Sequence, residues 1–464
     1  MKKIWKSLCA ALGAVFCVVG LAGCNEGKSA YEIAKENNLT GAQTEAEWIQ
    51  SLKGANGADG KDMDIIAVYE AAKANGYEGD FLSFLKEYLS VNVQTNNDMQ
   101  TIADNMTSVV SIYCGYQRKS SSTGYWGQAQ LSYDLAAGSG VVIELNKQAG
   151  NAIILTNYHV VYDSEENNGS FADEIYCYPY GSTLRFNPLN GQYGEGIKAT
   201  YVGGAMDYDI AVLKVEGSDA VKNSVLTKAE YGSSETLRTG ENVFAVGNPS
   251  GAGIAVTSGI ISVESEYIEL SALDNRDLDR DGKIDGVEFR VIRTDAAINS
   301  GNSGGGLFNA RGELIGIVNA KSVGEEMDNM GYALPITQVQ TLVQNILDHG
   351  GVVKRAMLGV GVSVIDTTAI VNEDGTLDIK ETFCVASVNA GGAAYRKLNV
   401  GDTFSWIQIN DREKQKFVCE YQLPETLLQV RKGDVVTLGV INSEGNEVTV
   451  EIPFDKDSYF TLYD

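Results

Sequence analysis

His159 and His349 are the only histidines in the chain. General-base chemistry by an imidazole near neutral pH therefore falls to one of two residues, and a zinc site built from several histidines is excluded. His159 lies in Ile154-Leu-Thr-Asn-Tyr-His159-Val-Val, just after an apolar run. Asp209 opens the apolar run Ile210-Ala-Val-Leu-Lys-Val, and a carboxylate at the mouth of a buried strand needs partners. Ser303 lies in a glycine-rich stretch, Asn299-Ser-Gly301-Asn302-Ser303-Gly304-Gly305. Each segment alone has a bland reading as a core histidine, a capped strand or a turn. Together they supply the nucleophile, base and orienter of acyl transfer. Ser303 needs a base to take its proton, His159 can accept that proton and return it to a leaving amine, and Asp209 would hold the imidazole tautomer. Gly301 and Gly304 allow a tight turn, so the amides of Gly301 and Ser303, with Asn302 between them, can face a developing oxyanion.

Gly301-Asn-Ser-Gly-Gly305 also fits G-x-S-x-G, the nucleophile elbow of α/β-hydrolases. Chain order separates the two. The hydrolase order places the histidine last, and the only histidine after Ser303 is His349, beside a glycine at a helix end. The order His159, Asp209, Ser303 is that of chymotrypsin-type enzymes.

A second constellation ends fifteen residues before Ser303. Asp277-Leu-Asp279-Arg-Asp281-Gly282-Lys283-Ile284-Asp285-Gly-Val-Glu288 places carboxylates at positions 1, 3, 5, 9 and 12 of a calcium loop, glycine at 6 and an aliphatic residue at 8. Calcium takes six to eight oxygens, and the Lys283 carbonyl would supply one of them. The flanks do not read as two helices, because Phe289-Arg-Val-Ile reads as a strand. We expect calcium here as a structural or regulatory ion, with no cofactor required for the chemistry.

The elements that must position these groups are mostly strands. Short β-branched runs recur between glycines and asparagines from about residue 105: 109–113, 141–144, 153–156, 210–215, 243–246 and 315–318. Fifty-one glycines and only six prolines suit many tight turns. One amphipathic helix is predicted near 336–348, with Val339, Leu342, Val343 and Ile346 on one face and Gly350 as its stop. The 464 residues suggest two to four domains, and 44% hydrophobic with 21% charged residues is a globular balance. A net charge of −25 argues against nucleic acid as a partner.

The N-terminus reads as an address. Lys2, Lys3 and Lys6 precede an apolar run from Leu8 to Ala22, as in a secretory signal. Leu21-Ala-Gly-Cys24 resembles the bacterial lipobox, which implies lipid on Cys24 and attachment to the bacterial cell membrane from the extracytoplasmic side. Two related segments, 29–52 and 67–90, read as a helical repeat, and the Gly-rich stretch 54–60 between them reads as a linker. Cys384 and Cys419 could bridge outside the cell, which the sequence leaves open.

Gly138-Ser-Gly-Val-Val-Ile143, TNYHVV at 156–161, DIAVLKV at 209–215, VGNPSG at 246–251, TSGIIS at 257–262, TDAAINSGNSGG at 294–305 and GELIGI at 312–317 occur in one order. This series resembles the protease domain of the HtrA (Do-like) serine proteases. The resemblance implies two six-stranded β-barrels with the triad at their junction, and an endopeptidase acting on unfolded or damaged proteins. It implies a primary specificity pocket lined by Ile298 and Gly316–Asn319, favouring small aliphatic residues, and assembly into trimers or larger. Asn302 stands where zymogen-type relatives keep an aspartate, so activation by cleavage is not expected. Ser300 and Gly306 replace two prolines usual in the family, which loosens the serine loop. The acidic loop lies where such enzymes carry a regulatory loop. Residues 356–455 resemble a PDZ domain, with Leu358, Gly359, Val360 and Gly361 as the carboxylate-binding loop for peptide C-termini and Pro424-Glu-Thr-Leu-Leu starting the groove helix.

The expected architecture is thus mostly β. It comprises a lipoprotein signal peptide (1–23), a helical repeat spacer (24–100), a chymotrypsin-like double-barrel protease domain (105–350) and a PDZ domain (355–456). The competing reading is a catalytically inactive, calcium-dependent surface binding protein on a protease fold. The intact His-Asp-Ser set argues against it.

Overall fold

A computed structural model describes residues 97–119, 131–164, 169–271, 286–320, 330–371 and 377–463, besides Lys73. The chain divides into two compact units, 1–95 and 96–464, and all described residues but Lys73 belong to the second. The signal peptide, Cys24, the two repeats and the linker lie outside the described residues, as do Asp277, Asp279, Asp281, Lys283 and Asp285.

The second unit begins with a helix, α1 (Asn97–Ser108), which the strand pattern expected from about residue 105 did not include. It then runs into β1 (Val109–Lys119), β2 (Leu131–Asn146) and β3 (Asn151–Thr156), a single helical turn α2 (Tyr158–Val161), and β4 (Glu174–Pro179), β5 (Ile197–Lys198), β6 (Thr200–Ala205) and β7 (Ile210–Val215). These strands pair in the order β5-β4-β1-β2-β3-β7-β6. This corrects the expected six-stranded first barrel: among the described residues the sheet has seven strands and does not close. The seventh is the two-residue β5, which follows the loop at 180–196 and docks on the edge of β4 through Tyr176–Lys198 and Cys177–Ile197. Alternation along the strands fills the core of this half with Val110, Ile112, Cys114, Val142, Ile154, Cys177, Ala211 and Leu213. Burial pushes the Cys177 thiol up to about 12, and Cys114 moves the same way, so both serve as small apolar side chains rather than nucleophiles.

The second half is a closed six-stranded barrel. A short helix, α3 (Asp219–Asn223), precedes β8 (Asn242–Gly247), β9 (Ala255–Ser271), β10 (Gly286–Thr294), β11 (Gly306–Asn309), β12 (Leu314–Asn319) and β13 (Gly331–Pro335). They pair in the order β8-β9-β10-β13-β12-β11. Helix α4 (Ile336–Asp348) follows with Val339, Leu342, Val343 and Ile346 buried as the periodicity required, and Gly350 takes a left-handed φ of +71° after it. That face lies in one hydrophobic cluster with residues of both halves, including Val109, Leu155, Val212, Val246 and Phe308. Apolar burial at about 25 cal/mol per Å² thus holds the two halves at a fixed junction.

The chain continues through β14 (Val353–Ala356), β15 (Val360–Val371), β16 (Leu377–Val388) and β17 (Thr403–Ile409) to helix α5 (Gln422–Leu427). It ends in β18 (Val435–Ile441), β19 (Glu447–Pro453) and β20 (Phe460–Tyr463). Strands β15-β16-β17-β18-β19 form one antiparallel sheet over a core of Phe383, Phe404, Ile407, Leu438 and Phe454. The terminal β20 returns to pair with β14, beyond the boundary at 456 that the sequence suggested. Cys384 and Cys419 are free thiols.

Candidate active site

His159 rides on α2, one residue past the N-cap Asn157 and Tyr158. Tyr158 is buried among Tyr162, Phe171 and Tyr201, with ring centroids 5.2, 5.5 and 6.4 Å away. This aromatic anchor fixes the turn and leaves the imidazole 23% exposed. Asp209 closes a single 3₁₀ turn at Met206–Tyr208 and adopts a left-handed φ of +49°. The Asn157 side-chain amide donates to the Asp209 carbonyl at 2.9 Å, so it does not cap α2 but holds that strained turn.

The Asp209 carboxylate is 1% exposed and accepts three hydrogen bonds. His159 Nδ1 lies 2.7 Å from Oδ2, the His159 amide donates to Oδ1 at 3.0 Å, and Asn319 Nδ2 donates to Oδ2 at 2.9 Å. A buried carboxylate facing Nδ1 selects the tautomer with its proton there and leaves Nε2 as an acceptor. His349 plays no part. Its Nδ1 lies 2.9 Å from the Asn345 carbonyl, at the end of α4.

Ser303 sits in the turn between β10 and β11 and is 6% exposed. Gly301 and Gly304 have φ of +95° and +82°. A side chain at either position would collide with backbone. A Cβ on Gly301 would meet the Asn248 carbonyl at 2.3 Å, and one on Gly304 the Ser139 carbonyl at 2.2 Å. The peptide planes of this turn are fixed from behind. The Ser300 carbonyl accepts from the Ser250 amide at 2.8 Å, and the Asn302 carbonyl accepts from the Gly305 amide at 2.9 Å. In a planar trans peptide the N–H points opposite its C=O. The amides of Gly301 and Ser303 are therefore turned the other way, and neither has an acceptor among the described residues. Ser300 is held by its carbonyl, and Gly306 enters β11 where a Cβ would meet the Phe308 ring at 2.4 Å.

The serine hydroxyl accepts from the Ala320 amide at 3.2 Å. No hydrogen bond joins it to His159 among the described residues, so the His–Asp half is closed and the Ser–His contact is open, as in many ligand-free sites. The Ser303 hydroxyl proton remains available to donate.

Several positioning groups escaped the sequence reading. Ser139, fully buried in β2, donates from Oγ to the Gly301 carbonyl at 2.7 Å and accepts from the Asn248 amide at 2.8 Å. Its own amide donates to the Ser303 carbonyl at 2.8 Å, so the first half grips the serine loop of the second. Gly138-Ser-Gly140 was visible as a motif, and the signal was that glycines flank a polar residue in an apolar run. Asn319, which the resemblance gave only to the wall of a specificity pocket, also turns its side-chain amide onto Asp209. Ile317 and Val318 are fully buried core side chains, and Ile298 packs half-buried against Gly331, where a Cβ would meet its Cδ1 at 2.6 Å.

Of the calcium ligands expected in the acidic loop only Glu288 is described. It stands exposed on β10, opposite Glu269 of β9. Among the described residues no group of three or more His, Cys, Asp or Glu could hold a metal ion. In the C-terminal sheet Leu358 is buried, its carbonyl accepting from the Ala394 amide at 2.9 Å. Gly359 has a φ of +76°, and Val360 and Gly361 begin β15, the outer strand of its sheet. Helix α5 begins at Gln422, ahead of the Pro424 start that the sequence suggested.

Comparison with known proteins follows the same lines. A family profile described as a trypsin-like peptidase domain matches residues 138–317. The chain is 30% identical over 452 residues to the serine protease Do-like HtrB of Bacillus subtilis, covering 94% of this chain and 89% of that protein. It is 30% identical to the periplasmic pH-dependent serine endoprotease DegQ of Escherichia coli over 68% of this chain, which spans 59% of DegQ. A solved HtrA-type protease, AlgW with tripeptide, is similar at 25% identity and a TM-score of 0.48, over 79% of this chain and 97% of that one.

Proposed function

The chain belongs to the Do-like HtrA serine proteases, and from that premise we propose that it is an endopeptidase whose triad is His159, Asp209 and Ser303. The observation that carries the reading is the buried Asp209 carboxylate, with His159 Nδ1 at 2.7 Å, beside a serine turn with two unengaged amides. His159 Nε2 takes the proton as Ser303 Oγ attacks the scissile carbonyl. Asp209 stabilises the resulting imidazolium, and the Gly301 and Ser303 amides stabilise the oxyanion. The imidazolium then gives its proton to the leaving amine, and water repeats the sequence on the acyl-enzyme. Cleavage of casein by the full chain, lost in Ser303→Ala, is the expected result. Undiminished cleavage by Ser303→Ala would refute the assignment.

The rest of the reading concerns setting. Substrates are unfolded or damaged proteins. The C-terminal sheet acts as a PDZ module, in which the free outer edge of β15 and the Leu358–Gly361 loop would take a peptide C-terminus by strand addition. Asp277, Asp279, Asp281, Asp285, Glu288 and the Lys283 carbonyl would hold calcium, for which their all-oxygen donor set is suited. Lipid on Cys24 would tether the enzyme to the extracytoplasmic face of the cell membrane, and the family supports a trimer. Among the described residues no helix is long and apolar enough to cross a membrane.

A further inference from the structure

The residues leading into β14 lie against the end of β6, just before the turn that carries Asp209. The Gly204 amide at the end of β6 donates to the Gly351 carbonyl at 3.0 Å, and Gly204 and Val352 form a parallel bridge. The approach is close enough that a Cβ on Gly203 would sit 2.1 Å from the Gly351 carbonyl oxygen. On its other edge β14 pairs with the terminal strand β20, Arg355 opposite Thr461 and Val353 opposite Tyr463. One side chain spans both neighbours. Arg355 donates from one terminal nitrogen to the Tyr208 hydroxyl at 2.8 Å and from the other to the Tyr463 hydroxyl at 2.6 Å. Its guanidinium carbon lies 5.0 Å from the Tyr463 ring centroid, and the Tyr208 and Tyr463 rings meet edge to face at 5.7 Å.

Tyr208 is the residue before Asp209. The 3₁₀ turn is closed by a backbone bond from the Asp209 amide to the Met206 carbonyl at 3.1 Å, and it must hold a non-glycine residue at positive φ. Fixing the Tyr208 ring and hydroxyl fixes the chain entering that conformation. We infer that Arg355 is a positioning residue for Asp209, and that through it the terminal strand Phe460–Tyr463 becomes part of the catalytic geometry. The inference rests on the triad reading above. Lys354, the next residue on β14, supplies the contrast. It reaches Asp457 at 3.7 Å and the Phe460 ring at 4.9 Å, so it tethers the same terminal segment without a bond to Tyr208.

The test uses the full chain, with kcat and KM measured on one peptide substrate and the rate of Ser303 labelling by a fluorophosphonate. Arg355→Met should lower kcat and the labelling rate roughly tenfold with KM unchanged, the mark of a misplaced catalytic group. Arg355→Lys, which can still donate to Tyr208, should recover part of the loss, Tyr463→Phe should fall between, and Lys354→Met should match the parent. Thermal melts establish that each variant is folded. If Arg355→Met is not, Tyr208→Phe deletes only the hydroxyl bond and carries the test. A kcat for folded Arg355→Met (or, in its place, Tyr208→Phe) within about twofold of the parent, or a loss expressed in KM alone, would overturn the inference. An equal kcat loss in Lys354→Met would also overturn it, by assigning the effect to strand docking. Asp209→Asn run in parallel separates the levels. Full activity there defeats the triad reading itself, whereas its loss beside an unaffected Arg355→Met defeats only this inference.

Discussion

Ser139→Ala should damage catalysis without touching any reacting atom. The hydroxyl it removes is wholly buried, accepts from the Asn248 amide at 2.8 Å and donates to the Gly301 carbonyl at 2.7 Å. The substitution leaves both backbone groups in a dry site without that partner. An orphaned buried polar group costs about 1–3 kcal/mol, so two cost about 2–6 kcal/mol, less whatever a water recovers. The Gly301 carbonyl is part of the turn that aims the Gly301 and Ser303 amides, and losing one well-aimed oxyanion donor costs about 10² to 10³ in kcat. We therefore expect an unfolding free energy from chemical denaturation lowered by about 2 kcal/mol or more where no water replaces the hydroxyl, and kcat on a peptide substrate reduced about a hundredfold with KM little changed. The assay is run at a temperature where the melting curve shows the variant folded. A folded Ser139→Ala protein with kcat within about threefold of the parent would refute the claim that this hydroxyl shapes the oxyanion turn.

Two further predictions concern groups around the site. Asn319→Ala removes one of the three donors to the Asp209 carboxylate and should lower kcat roughly tenfold with KM unchanged, while Asn319→Ser, which keeps a donor, should lie between; equal loss in both would assign the effect to packing. The buried Arg290 guanidinium on β10 is shared by Glu235 and by Glu425 of α5, at 3.0 and 2.6 Å, beneath the Tyr421 ring at 4.0 Å. Two carboxylates on one cation leave a surplus negative charge. Burial pushes Glu425 from 4.5 up to about 7, Glu235 adding to the rise and Arg290 opposing it. A raised folded-state pKa means the folded chain keeps a proton that the unfolded chain loses, so stability is full below pH 4.5 and is lost as pH rises through about 7. The span corresponds to at most about 3 kcal/mol. Denaturation midpoints at pH 4.5 and 7.5 should differ less in Glu425→Gln than in the parent, and equal slopes would sink the assignment.

Sequence alone determined the chemistry on offer and most of the elements. Two histidines left one base with a suitable neighbourhood, and the order His159, Asp209, Ser303 excluded the hydrolase elbow. Short apolar, β-branched runs marked strands such as 210–215 and 243–246, and the 3.6 period of 336–348 marked the helix with its buried face, because burial on one side of a helix is written directly into local spacing. Glycine at 301 and 304 was likewise legible, since only a residue without a Cβ tolerates both the positive φ and the close approach of the Asn248 and Ser139 backbone. Tertiary structure alone decided the partners of those groups. Ser139 meets Gly301 across 162 positions, Asn319 meets Asp209 across 110, and Arg355 joins Tyr208 across 147 to Tyr463 across 108. Hydrogen bonds of such span leave no periodic trace, because each depends on where two surfaces meet and not on neighbours along the chain. The same reason hid the seventh strand of the first sheet and the return of the terminal strand to β14, where two to four residues find a free edge that only the folded chain presents.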